Sequence, residues 1–228
     1  MTGAPRDAAP ASPGGAPFPG GGAFEALVDF FDDARATPLH ARLAAACHDA
    51  AAAAPPGPLL DVGCGAGELV RLAVAAGRSA CGIDLSPGMC RRARRIVPEA
   101  RFAVARFEAL PFADASFAAL TAMLVLHLSD APRALAEAAR VLRPGGILAL
   151  VTQSTAWSEA LARRLVEERG VVGPEREFYL GSARSGEANR RYAAEELAAT
   201  LAAHGFGAVR VDSECAGGFL IAAGRRAG

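Results

Sequence analysis

Lysine is missing from this chain. All 24 of the strong bases among its 228 residues are arginines, and they balance 24 acids to a formal net charge of zero. We read the missing lysine as a GC-rich coding bias. The zero balance argues against a nucleic acid or an acidic surface as the main partner. No apolar run reaches the roughly 18–20 uncharged residues that cross a bilayer. Hydrophobic residues make up 52% of the chain, but alanine inflates that figure. The N-terminus has no basic stretch followed by an apolar core, so no secretory signal is expected there. Five cysteines (Cys47, Cys64, Cys81, Cys90 and Cys215) are scattered without a C-x-x-C pair or a Cys/His set at metal-ligand spacing. Neither a disulfide framework nor a metal site is expected, and the reading is a reduced, cytoplasmic protein with buried thiols. No internal repeat is visible, and the length suits one α/β domain with a substantial core.

What is present is concentrated in Leu59-Leu60-Asp61-Val62-Gly63-Cys64-Gly65-Ala66-Gly67-Glu68. An apolar strand ends in a glycine-rich turn and passes straight into a helix. Glycines let the backbone come close to a ligand where a Cβ would clash, and the free N–H groups at the start of the helix suit a polar group. The spacing is G-x-G-x-G. The dinucleotide fingerprint G-x-G-x-x-G would need its third glycine where Glu68 stands, which disfavours a dinucleotide-dependent oxidoreductase. Ser79–Asp84 reads as a second buried strand with an acid at its carboxyl end, about 20 residues beyond the glycines, where a carboxylate chelates a ribose diol. Asp84 also suits a helix start at Pro87, and the two roles are compatible.

The whole string Leu59–Glu68 resembles motif I of the class I S-adenosylmethionine-dependent methyltransferases. Glu108–Phe117 resembles the A-E-x-L-P-F-x-D-x-S-F-D segment of the methyltransferase type 11 branch, and Ala139–Gly146 its A-R-V-L-K-P-G-G turn. Four motifs in the correct order make this a specific signal over residues 57–153. The resemblance implies S-adenosyl-L-methionine as cofactor, held by Asp61, Gly63, Cys64, Gly65, Gly67, Asp84, Leu85, Met89, Arg106, Phe107, Glu108, Ala122 and Met123. It also implies a doubly wound, mainly parallel seven-stranded sheet with a C-terminal antiparallel hairpin. Two positions depart from the pattern. Where the family has an acid to receive the adenine amino group, this chain has Arg106, which can only donate. Where the family has F-D at the start of the fourth strand, it has Phe117-Ala118.

Composition divides the rest. Residues 1–20, rich in Pro and Gly, read as a tail unable to order itself. Phe24–Arg35 and Leu39–Ala53 show helical spacing and would cap the site. Strands are expected at 101–105, 117–124 and 147–151, a helix at Trp157–Arg169, and a polar loop at Gly170–Asn189. A helix at Ala193–His204 and a hairpin of 208–212 with 218–222 close the domain. The segment 155–191 is expected to act as a lid that sets acceptor choice, because long connections at the ligand edge are usually functional.

Methyl transfer from a sulfonium needs alignment above all, and a base only for an acceptor whose proton has a high pKa. His127, just beyond the fourth strand, is the candidate base. His40, Trp157, Phe178, Tyr179 and Tyr192 fall in segments expected over the cofactor. The reading is methyl transfer to a small-molecule O, N or C acceptor, with no nucleic acid, membrane or metal. The alternative is a non-catalytic cofactor-binding or assembly protein of the same fold.

Overall fold

Five parallel strands bring their carboxyl ends to one edge of a seven-stranded sheet, and the chain hangs its candidate ligand-binding residues there. The computed structural model describes residue 35, residues 37–185 and residues 190–228. The strands are β1 (Leu59–Val62), β2 (Ala80–Asp84), β3 (Arg101–Val104), β4 (Phe117–Met123), β5 (Leu142–Gln153), β6 (Phe206–Glu214) and β7 (Phe219–Arg226). Their order is β3-β2-β1-β4-β5-β7-β6. β1 to β5 pair in parallel, and β7 runs antiparallel between β5 and β6. The strand order reverses direction between β1 and β4, the place where open α/β sheets bind ligands.

The described helices are α1 (Pro38–Ala50), α2 (Glu68–Ala75), α3 (Pro87–Ile96), α4 (Ala131–Val141), α5 (Glu159–Arg169), α6 (Gly173–Ser185) and α7 (Ala194–Ala203). Three of them start by the same local chemistry. Thr37, Ser86 and Asp130 each accept a backbone N–H from the first turn, with a proline in that turn. Each such cap contributes about 1 kcal/mol and fixes where its helix begins. On one face of the sheet Leu60, Leu120, Leu148 and Leu150 pack against Leu135 and Leu197. On the other, Ala149 and Val151 pack against Leu39, Leu43, Trp157 and Phe219.

The tail over residues 1–20 and the helix expected at Phe24–Arg35 lie outside the described residues, apart from Arg35, which is helical. Within the described part, one expectation is corrected. The polar loop expected at Gly170–Asn189 is largely α6. Pro174 stands in its first turn, and Phe178, Tyr179, Leu180 and Ala183 are buried along it. Trp157 packs in a tilted arrangement at a ring-centroid distance of 5.7 Å from Tyr179 and 4.6 Å from Phe219. Burial of this apolar face outweighs the glycines and charges that read as loop. β5 is also longer than expected. Its Pro144-Gly145-Gly146 lies inside the strand, where the register with β4 jumps from Phe117↔Leu142 to Ala119↔Ile147. Ala118 sits wholly buried at that irregularity, and a Cβ on Gly57 would come within 3.0 Å of its own Cβ. The small side chain fits a place where three backbones crowd.

Candidate cofactor and acceptor site

The floor of the site is built by the ends of β1 and β2. After Val62 the chain takes positive φ at Gly63 (67°) and Gly65 (49°), which an L side chain adopts only with strain. The two glycines serve different ends. A Cβ on Gly63 would collide with the Val125 side chain, whereas a Cβ on Gly65 would meet no protein atom within 4 Å. Gly63 therefore lets two parts of the protein meet, and Gly65 keeps the cavity open. Asp84 locks the turn: its Oδ2 accepts the Gly65 N–H at 2.9 Å and its Oδ1 accepts the Ser86 N–H at 2.8 Å.

Asp61 lies behind the turn, 2% exposed, with Oδ1 accepting the Thr121 hydroxyl at 2.8 Å. Burial raises its pKa to about 8, the Thr121 bond works against that rise, and the nearby Asp84 adds to it. Without a cation beside it, this carboxyl is held largely protonated at neutral pH.

Beyond Asp84, the side wall is formed by Leu85, Met89, Ala105, Arg106, Phe107 and Glu108. The Arg106 guanidinium pairs with Glu108 at 3.6 Å, and the other Glu108 oxygen accepts the Asp130 N–H at 3.0 Å. Arg106 thus lies at the rim as half of an ion pair.

The roof comes from elements that the glycine turn does not predict. Arg35 and His40 face the cavity ahead of and within α1, Phe178 reaches in from α6, and Leu124, Val125 and Leu128 close the side beyond β4. Leu124 has φ of 58°, an uncommon conformation for a bulky residue, and its N–H is fixed to the Val151 carbonyl at 2.8 Å. The two roof helices are joined, because Glu175 Oε1 of α6 accepts the Leu39 N–H of α1 at 2.9 Å. His40 Nδ1 is buried without a hydrogen-bond partner. Burial lowers the His40 pKa to about 4, against a raising effect of Glu68 and with a further lowering by Arg35. Glu68 itself is gripped by Arg71 through two bonds of 2.7 and 3.0 Å.

The structure brings most of the sequence-predicted residues to one cavity: Asp61, Gly63, Cys64, Gly65 and Asp84 on the floor, the side-wall residues above, and Met123. Three predicted residues lie elsewhere. Gly67 is the N-cap of α2, and a Cβ there would point at Ala93 and Phe102. Ala122 is wholly buried in the core. His127 is 6% exposed and is not part of the cavity wall, although Val125, Leu128 and Ser129 around it are. Its pKa is lowered to about 4, first by burial and then by Arg191, and its Nδ1 has no partner. As folded, the ring does not line the cavity, which differs from the place in the wall that its position after β4 led us to expect. Among the described residues no cluster of His, Cys, Asp and Glu has metal-binding geometry, and no helix is long and apolar enough to cross a membrane.

Residues 60–150 match the family model of the methyltransferase domain. Over that span the chain is similar to a methyltransferase domain. A malonyl-[acyl-carrier protein] O-methyltransferase of Serratia marcescens is 37% identical over 95 residues, 41% of this chain and 37% of the relative. A demethylmenaquinone methyltransferase of Renibacterium salmoninarum is 34% identical over 143 residues, 58% of this chain and 60% of the relative. The chain thus spans 37% and 60% of these two relatives. The [4+2]-cyclase SpnF superposes with a TM-score of 0.69 at 21% identity, covering 93% of this chain and 99% of that one. At that identity the match speaks for the fold alone, and the neighbour's chemistry warns against reading a reaction from the fold. S-adenosylmethionine is the cofactor that the similarity to methyltransferases implies, and the residues fit it. The open side of Gly65 leaves room at the turn, the fixed Asp84 carboxylate suits a diol, and buried Asp61 suits an ammonium group.

Proposed function

We propose that the protein transfers a methyl group from S-adenosylmethionine to a small-molecule O, N or C acceptor. The observation that carries this reading is the glycine turn clamped by Asp84 beneath a cavity whose roof is made of α1 and α6. The cofactor supplies a methyl carbon on a sulfonium, a reactive centre with a neutral thioether as leaving group. The residues of the chain then have three tasks. Asp84 orients the sugar, and Asp61 faces the ammonium group. The roof residues Phe178, Leu124 and Val125 exclude water and align the acceptor, the contribution in which proximity counts most. The apolar character of those three residues supports a small, largely apolar acceptor. His127 supports the wall from behind and takes no proton in this reading.

Calorimetry tests it. S-adenosylhomocysteine is expected to bind with a micromolar dissociation constant, about −8 kcal/mol, and NAD not at all. With S-adenosylmethionine and a panel of phenols, amines and carboxylic acids, at least one acceptor is expected to release S-adenosylhomocysteine. Binding of NAD in place of either adenosyl ligand would overturn the assignment. Tight binding with no turnover on any acceptor class would favour the non-catalytic alternative.

A further inference from the structure

Cys64 and Cys90 lie in one small buried cluster with Val70, Ala93, Val97 and Phe102, and their side chains are hydrogen-bonded to each other. The remaining cysteines face elsewhere. Cys47 turns to the Ala149 carbonyl, Cys215 to Tyr179 and Arg42, and Cys81 packs against the core on the other face of β2. The backbone brings the pair together. Cys64 belongs to the glycine turn, and a Cβ on Gly82 of β2 would fall 2.7 Å from its Cβ and 2.8 Å from its Sγ. The missing side chain at Gly82 is what lets Cys64 lie across β2 toward α3. From α3, Cys90 Sγ comes to 3.3 Å from the Ala103 carbonyl and 4.0 Å from the Asp84 carbonyl. The bond between the two thiols holds the Cys90 pKa down against its burial, and together with burial it pushes the Cys64 pKa up. Cys64 therefore donates and the Cys90 sulfur accepts.

The pair has a way in and a consequence. Cys64 belongs to the cavity wall and is 6% exposed, so a small oxidant entering the cavity meets the pair from the Cys64 side. Asp84 stands between the two cysteines: its Oδ2 holds the Gly65 N–H beside Cys64, and its carbonyl faces Cys90. We propose that Cys64 and Cys90 form a redox-active dithiol site in the floor of the cavity, closed to a disulfide by a hydroperoxide and reopened by a thiol reductant. In the first step the O–O bond breaks and Cys64 Sγ takes one OH to become a sulfenic acid. The Cys64 thiol proton leaves on the other oxygen, as water or an alcohol. Cys90 Sγ then attacks that sulfur, the S–O bond breaks, and the OH departs with the Cys90 proton as water. Two electrons and two protons pass from the pair to the oxidant. Reduction runs by exchange, with the reductant's own thiols becoming a disulfide. The new bond shortens the contact between the sulfurs and draws the glycine turn toward α3. The Gly65–Asp84 hydrogen bond lies in the path of that movement, so the oxidised floor holds its ligand less well. This last consequence rests on the S-adenosylmethionine reading above, whereas the bridge itself does not.

The experiment treats the full chain with a stoichiometric amount of hydrogen peroxide, blocks the remaining thiols and maps disulfides by peptide mass spectrometry without reduction. A Cys64–Cys90 bridge is expected, and dithiothreitol should reverse it. Cys64→Ala and Cys90→Ser should each abolish the bridge, whereas Cys47→Ser, Cys81→Ser and Cys215→Ser should leave it intact. Calorimetry then compares S-adenosylhomocysteine binding before and after oxidation. Wild-type affinity should fall about tenfold or more, the scale of one lost hydrogen bond to a charged group, and should return on reduction. Cys90→Ser, outside the cavity wall, should bind alike before and after treatment. Circular dichroism and melting temperature check that each variant is folded, and the wild-type peptide map decides the bridge even where a variant is not. Oxidation that gives no bridge, or a bridge through another cysteine, would overturn the proposal. So would a bridged wild type that binds S-adenosylhomocysteine as tightly as the reduced one. A reduced wild type that binds no S-adenosylhomocysteine would instead remove the cofactor reading, while the peptide map would still decide whether the pair is redox-active.

Discussion

The floor and the roof of the cavity are built on different principles. On the floor, backbone geometry carries the work: two glycines with positive φ, and a carboxylate pinned by two amides. On the roof, side chains carry it: an imidazole, two guanidinium-bearing or apolar walls, and one bond between helices. A backbone site recognises what is common to all ligands of its class, because every residue offers the same amides. A side-chain site recognises what differs. The floor therefore suits an invariant cofactor and the roof a variable acceptor.

The sharpest way to break this comparison is to add one methyl group to each floor glycine. Gly65→Ala places its Cβ in open space, so the fold should lose only the strain of positive φ, about 1 kcal/mol. That corresponds to roughly 2–4 °C in melting temperature at this size. Affinity for S-adenosylhomocysteine should fall by about 100-fold or more, because the methyl group occupies ligand space. Gly63→Ala should do the reverse in rank, driving the new methyl into Val125 at a cost of about 1–3 kcal/mol beyond the φ strain. A Gly65→Ala protein with wild-type affinity would show that the turn does not touch the ligand.

Much of the floor was legible in the sequence because its signals are local. Asp61 to Glu68 and Asp84 are specified by spacing along two strands and one turn, and the parallel sheet follows from alternating strands and helices. The roof was legible only as a location. α6 was read as loop because its glycines and charges outnumber its apolar residues, and its burial depends on Trp157 and Phe219, residues distant in sequence. His127 was misplaced for a related reason. Sequence puts it just after β4, but a one-turn 3-10 helix at Leu126–Leu128 rotates it inward, away from the cavity. Glu68 was seen only as a missing glycine. Its place beside His40 depends on how α1 packs on α2.

pH separates the two regions by sign. Asp61 keeps its proton in the folded protein up to about pH 8, while in the unfolded chain it loses it near pH 4. Between those values the folded state binds more protons, so the Asp61 contribution to stability falls as pH rises. His40 and His127 titrate near pH 4 when folded and near 6.5 when unfolded. In that window the unfolded state binds more protons, so their contribution falls as pH drops. For the buried His127 alone the loss by pH 4 is about 3 kcal/mol at 1.4 kcal/mol per pKa unit. Hydrogen exchange should accordingly show the roof helix α1 loosening first at pH 5 and β1 loosening first at pH 8. Cofactor binding should follow the floor: an ammonium beside Asp61 lowers its pKa, so binding releases a proton and affinity rises up to tenfold per unit toward pH 8. Asp61→Asn should flatten that slope and raise the stability of the free protein at pH 8. An unchanged slope would remove Asp61 from the ammonium site.

The smallest expected effect tests whether the roof is one unit. Glu175→Ala deletes the acceptor of the Leu39 N–H, leaving a partly buried donor without its partner at a cost of about 1–2 kcal/mol. If that bond joins the helices, amide protection in α1 and α6 should fall together while β1, β2 and β4 keep theirs, because the bond touches none of these strands. Cofactor affinity should change no more than about threefold, since α1 is placed mainly by the Thr37 cap and by Leu39 and Leu43 against the sheet. Glu175→Gln, which still presents an oxygen to Leu39, should recover most of the protection. Loss confined to α6 would show that α1 is held by the sheet alone. The acceptor wall at Phe178 would then move independently of α1.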